Sequence, residues 1–159
     1  ALGNIAGDST TYRDLILKYG GADALVTLLM NTTSQNILKH GNWALSSLCC
    51  GKPLPKFKLV KNAIVPFARV LINGTDPEML ADAASALSCL SSKKNSSSSQ
   101  TEHNLLDGDK SAIQLIVDTN VIPALIKHLS ASGLSILFPC LKVIKNIAGG
   151  TEPQRDVLN

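Results

Sequence analysis

Residues 40–50, His40 to Cys50, read HGNWALSSLCC, and the register of this stretch decides the fold. Small residues surround the single tryptophan of the chain, Trp43. The pattern returns as ALGNIAG at 1–7, ASALSCLSS at 84–92 and LKVIKNIAGG at 141–150. Superimposed, these segments put Asn4, Ser47, Cys89 and Asn146 in one column, with steps of 43, 42 and 57.

A second set of segments repeats with the same steps. ADALVTLL, IVPFARVL and VIPALIKH carry apolar residues at helical spacing and align Ala24, Pro66 and Pro123. Both prolines fall near a helix start, where a missing N–H leaves no bond unmade. The long step has a visible cause. Between Leu90 and Ile113 the chain reads SSKKNSSSSQTEHNLLDGDKSA, a Ser-rich connection about fifteen residues longer than the others. Its low hydrophobicity predicts a flexible surface insertion over 93–107.

A period near 42, with helices and no strand alternation, points to a HEAT or armadillo array. Each unit is expected to hold a short first helix (Thr11–Lys18, Lys56–Lys61, Lys110–Asp118) and two longer ones. One unit alone cannot bury its apolar faces, so stacked neighbours must share a core. The predicted layout is a single array: the end of a repeat at 1–7, repeats at 8–51, 52–92 and 108–150, and the start of another at 151–159. The chain thus reads as a segment of a longer array, with apolar faces at both ends that favour self-association.

Composition narrows the function classes. The chain has 159 residues, 45% of them hydrophobic and 17% charged, which suffices for a sizeable core. The net charge of +3 is scattered, with Lys52, Lys56, Lys58 and Lys61 the densest group, so no direct nucleic-acid face is expected. No apolar run approaches the ~20 residues of a membrane helix. Cys49, Cys50, Cys89 and Cys140 form no CxxC pair and have no His at metal-ligand spacing. They read as reduced, partly buried thiols of a cytosolic or nuclear protein. The sequons at Asn31, Asn73 and Asn95 follow no signal peptide and read as chance matches. His40, His103 and His128 lie in separate segments, without a nucleophile or phosphate loop beside them. No enzyme activity, metal or cofactor is expected.

Third helices of such a stack line its concave surface. Trp43 and Ser47, four apart, share one helix face there. An aromatic ring in that place could stack on a lysine stem and attract its ammonium. A small polar group one turn on could hydrogen-bond an extended peptide.

ALGNIAGDSTTYRDLILKYG, NWALSSLC, EMLADAASAL and LFPCLKVIKNIAGGTEPQ together resemble the central armadillo repeats of importin-α (karyopherin-α). The likeness spans nearly the whole chain outside the Ser-rich insertion. It implies an all-α fold, a right-handed superhelical solenoid of armadillo repeats with three helices per repeat. It also implies a nuclear import adaptor, in cytoplasm and nucleus, that binds basic nuclear localisation signal peptides on its concave face and partners importin-β. In that family a groove tryptophan is followed four residues later by asparagine. The resemblance assigns peptide-binding roles to Asn4, Asp8, Trp43, Ser47, Glu78, Asp82, Lys142 and Asn146. Ser47 replaces the family's asparagine, and Ser85 and Cys89 stand where aromatic residues are usual. Losing lysine–aromatic contacts of ~0.5–2 kcal/mol each should weaken cargo binding about ten-fold or more. An alternative follows from those losses: an armadillo scaffold that binds another protein segment, with little recognition of such signals.

Overall fold

The computed structural model describes residues 1–92, 111–131 and 133–158. Every regular element among these is helical. In chain order they are α1 (Leu2–Asp8), α2 (Thr10–Lys18), α3 (Gly21–Asn31), α4 (Gln35–Cys49), two 3-10 turns (Phe57–Leu59 and Lys61–Ala63), α5 (Ile64–Asn73), α6 (Pro77–Leu90), α7 (Ala112–Asp118), α8 (Ile122–Ala131), α9 (Leu134–Ala148) and α10 (Glu152–Asp156). The expected insertion at 93–107, and with it Asn95 and His103, lies outside the described residues.

Local chemistry sets the helix ends. Ser9 accepts from the N–H of Thr11 at the start of α2, and Ser111 from that of Gln114 at the start of α7. Asp76 accepts from the N–H groups of Glu78 and Met79, with Pro77 as the first residue of α6. Thr151 and Gln154 form a reciprocal capping box on α10. Gly20, at φ 79°, turns the chain between α2 and α3 in a conformation other residues resist.

One apolar cluster, from Ala6 to Ile147, runs through all the helix groups, as an all-α armadillo solenoid requires. α4, α6 and α9 pack side by side along it. Buried small residues permit this close approach: Gly41, Ala44 and Ser46 on α4, and Ala83, Ala84, Ala86 and Ser88 on α6. Leu45, Leu48, Leu87 and Leu90 fill the space beneath them.

Two expectations need correction. The short first helix expected over Lys56–Lys61 is instead two consecutive 3-10 turns leading straight into α5. Lys56 is still extended, and Val60, at φ −128° and ψ −2°, interrupts the run between the two turns. The four thiols are not all reduced: Cys50 and Cys89 are joined by a disulfide, their Cα atoms 5.6 Å apart, while Cys49 and Cys140 are free and buried. Cys50 takes an extended conformation where α4 ends, so it turns toward α6 while Cys49 stays in the core.

Arg13 of α2 holds that turn. It is 1% exposed, and its Nη1 donates to the carbonyls of Cys50 (3.0 Å) and Pro53 (2.8 Å). Its Nε and Nη2 pair with Asp14 at 2.9 and 2.7 Å. A buried guanidinium with every face engaged fastens the first helix group to the loop that opens the second.

Candidate functional site

The column residues come from the four helices α1, α4, α6 and α9. On α4, Trp43 remains 39% exposed. Its ring lies on Gly3 of α1, where any Cβ would overlap the indole carbons. The tryptophan thus packs one face on the preceding helix, beside the exposed Asn4, and offers the rest to solvent. Asp8 ends α1 and is exposed.

An acidic cluster sits at the start of α6. Glu78, in the first turn, binds Lys39 of α4 at 2.6 Å, and Asp76 approaches the same ammonium at 3.6 Å. The Glu78 contact is the main reason the Lys39 ammonium titrates above its ordinary value. Hydrogen bonding from the Met79 N–H leads the effects that hold Asp76 below its own. Asp82, one turn deeper, is half-buried. Burial first, then the like charges of Glu78 and Asp76, pushes its carboxyl above the ordinary value, and Lys39 offsets only part of this. Three carboxylates share one lysine, and the surplus is negative.

The column itself is largely occupied from within. Ser47 Oγ donates to the Trp43 carbonyl at 3.0 Å, back along its own helix. Cys89 is bonded to Cys50. The Asn146 amide donates to Ser91 Oγ, 2.9 Å away at the C-cap of α6. Lys142 is exposed on α9, one turn before Asn146. The structure therefore places Trp43 against α1 and gathers Asp76, Glu78 and Asp82 at one helix start. Ser47 and Asn146 each spend a donor internally, on the Trp43 carbonyl and on Ser91.

Several partners escaped the sequence reading. Lys39, Arg13 and Ser91 carry no motif; they matter through residues one unit away. Asn42 is the same case, buried with its Nδ2 donating to the Met79 carbonyl at 3.1 Å. Cys50 and Cys89 did carry a signal, since their separation of 39 is the repeat period less about one helical turn. Among the described residues no His, Cys, Asp and Glu group could hold a metal, and no helix is long and apolar enough to cross a membrane.

The Armadillo/beta-catenin-like repeat family matches residues 109–149. Importin subunit alpha-1b of Oryza sativa subsp. japonica is 38% identical over 154 residues, covering 97% of this chain and 26% of that protein. Importin subunit alpha-3 of Arabidopsis thaliana is 37% identical over 146 residues, covering 92% of this chain and 24% of the relative. The chain thus spans about a quarter of the length of the curated relatives it matches. Computationally designed armadillo repeat proteins for modular peptide recognition superimpose with a TM-score of 0.77 at 20% identity, over 99% of this chain and 59% of theirs. A designed armadillo repeat protein in complex with the peptide (KR)4 gives 0.73 at 18%, over 99% and 59%. At that identity these likenesses show the fold. Residues 109–149 thus match an armadillo repeat within an all-α armadillo solenoid, and over nearly its whole length the chain is similar to importin alpha subunits.

Proposed function

We propose that this segment binds extended basic peptides of the nuclear localisation type along α1, α4 and α6, as part of a nuclear import adaptor. The negative surplus around Asp82 carries the reading. A lysine or arginine brought there relieves the repulsion that Asp82 feels from Glu78 and Asp76. Trp43 supplies an aromatic wall for the stem of a second cation. Asn4, Asp8, Glu78 and Asp82 join it in the site, with Lys142 on α9 beyond its far end and the Asn146 amide engaged by Ser91. Transfer of cargo to importin-β, and traffic between cytoplasm and nucleus, belong to the same proposal. Self-association belongs to the same proposal: Leu2 and Ile5 on α1 and Leu134, Phe138 and Leu141 on α9 are exposed apolar residues suited to another helix.

A second reading is favoured by the occupied column. With Ser47, Cys89 and Asn146 engaged internally, an armadillo scaffold that takes a different protein segment fits the remaining groups. Fluorescence anisotropy of a labelled Lys/Arg-rich peptide separates the two. Basic-peptide recognition predicts saturable binding that weakens several-fold in the Glu78→Gln/Asp82→Asn double variant and at high salt. Equal binding by a charge-reversed peptide would favour the scaffold.

A further inference from the structure

We infer that Cys50 and Cys89 form a reversible thiol–disulfide site, taking small disulfides such as glutathione disulfide as oxidant and thiols as reductant, that clamps α4 to α6. The four cysteines divide sharply. Cys49 and Cys140 are buried, while Cys50 and Cys89 are only half-buried, within reach of a small solute. Their Cα separation of 5.6 Å lies in the range a disulfide needs, so the fold of this chain accommodates the closed bridge. Arg13 keeps Cys50 in that place by gripping its carbonyl and that of Pro53. The bridge also joins different helix groups: Cys50 follows the last residue of α4, and Cys89 is next to last in α6.

The chemistry balances with one co-reactant. The thiolate of one cysteine attacks glutathione disulfide, forming a mixed disulfide and releasing one glutathione thiolate. The second cysteine, deprotonated in turn, attacks the protein sulfur of that mixed disulfide and displaces the other glutathione. Two electrons pass from the cysteine pair to glutathione disulfide, and two protons leave the thiols. Excess glutathione runs the exchange backward. The buried thiols stay out of it, because burial raises Cys49 well above an ordinary thiol and pushes Cys140 up to about 11. In a reducing compartment the pair stands open; under oxidation it closes and ties the groove helices together at one end. The site stands whether or not the groove takes basic peptides.

The test uses the whole chain, equilibrated in glutathione buffers of different redox ratio, acid-quenched, unfolded and labelled with N-ethylmaleimide for mass spectrometry. Reduced protein, with four cysteines, should take four labels. Oxidised protein should take labels only on Cys49 and Cys140, and excess glutathione should restore all four. Hydrogen exchange should slow in the bridged form over the last turns of α4 and α6. Cys89→Ser should leave Cys50 either labelled or carrying glutathione. Four labels under oxidising buffer, glutathione retained on the wild-type pair, a bridge that survives excess glutathione, or identical exchange in both forms would each overturn the proposal.

Discussion

The junction between α4 and α6 and the junction between α6 and α9 solve one stacking problem with different chemistry. The first is polar and cross-linked: Lys39 to Glu78, Asn42 to Met79, Cys50 to Cys89, with Arg13 pinning the loop beside it. The second rests on buried Ile136, Cys140, Val143 and Ile147 of α9 against α6, with Asn146 to Ser91 between the two helices and His128 of α8 bonded to the Leu71 carbonyl of α5. Stacking therefore needs little more than small and apolar faces. The additional polar pairs of the first junction coincide with the acidic cluster, on the part of the surface proposed to bind peptide.

If the first junction depends on Arg13, Arg13→Met should show the largest loss. The Cys50 and Pro53 carbonyls then lose their donor and Asp14 its ion pair, and urea unfolding should report about 2–4 kcal/mol less stability. A change under about 0.5 kcal/mol would mean the loop is held by other contacts. Next comes the α1–α4 contact. Gly3→Ala forces a methyl into the Trp43 ring, which should remove about 1–3 kcal/mol and shift the single-tryptophan emission to the red. Unchanged emission would place the indole elsewhere. At the second junction, Asn146→Ala should remove about 1 kcal/mol and leave basic-peptide affinity within two-fold or so, because the amide serves Ser91. A large loss of peptide binding would show the amide reaching the ligand instead.

The smallest stability effect is expected at Asp82, where sign matters more than size. Its folded carboxyl titrates above the unfolded value, so the folded state binds more protons between those two values and stability falls as pH rises through them. Asp82→Asn should therefore melt slightly higher at neutral pH, on the order of 1 °C, and lose that advantage in acid. Asp76 works oppositely: its lowered carboxyl contributes stability that disappears as pH falls through its folded value. Melting curves from neutral to acid pH would expose an error if Asp82→Asn is destabilised at neutral pH.

Helix register and the aligned column were legible because they depend on local spacing. HGNWALSSLC lies on one long helix and IPALIKH on another, as the periodicity of their apolar residues requires. The 3-10 turns after Pro55 were not, since a window as short as FKLVKNA shows the same apolar spacing in either helix type. Cross-unit pairs were the harder loss, yet they share a rule. Lys39–Glu78, Cys50–Cys89, Asn62–Asp23 and Arg69–Met30 are each separated by 39 residues, one period less about a turn. Asn146–Ser91 and His128–Leu71, at 55 and 57, follow the longer step. The internal engagement of Ser47 and Asn146 depends on rotamers, which no spacing reveals.

The most direct test of the central claim is the fluorescence of Trp43 during titration with a Lys-rich signal peptide. Because no other tryptophan is present, any change reports from the α1–α4 face. Basic-peptide binding predicts a saturable change, complete by about 100 μM, that weakens as salt rises and is reduced in Asp82→Asn. A flat, salt-insensitive trace to high micromolar peptide would contradict it.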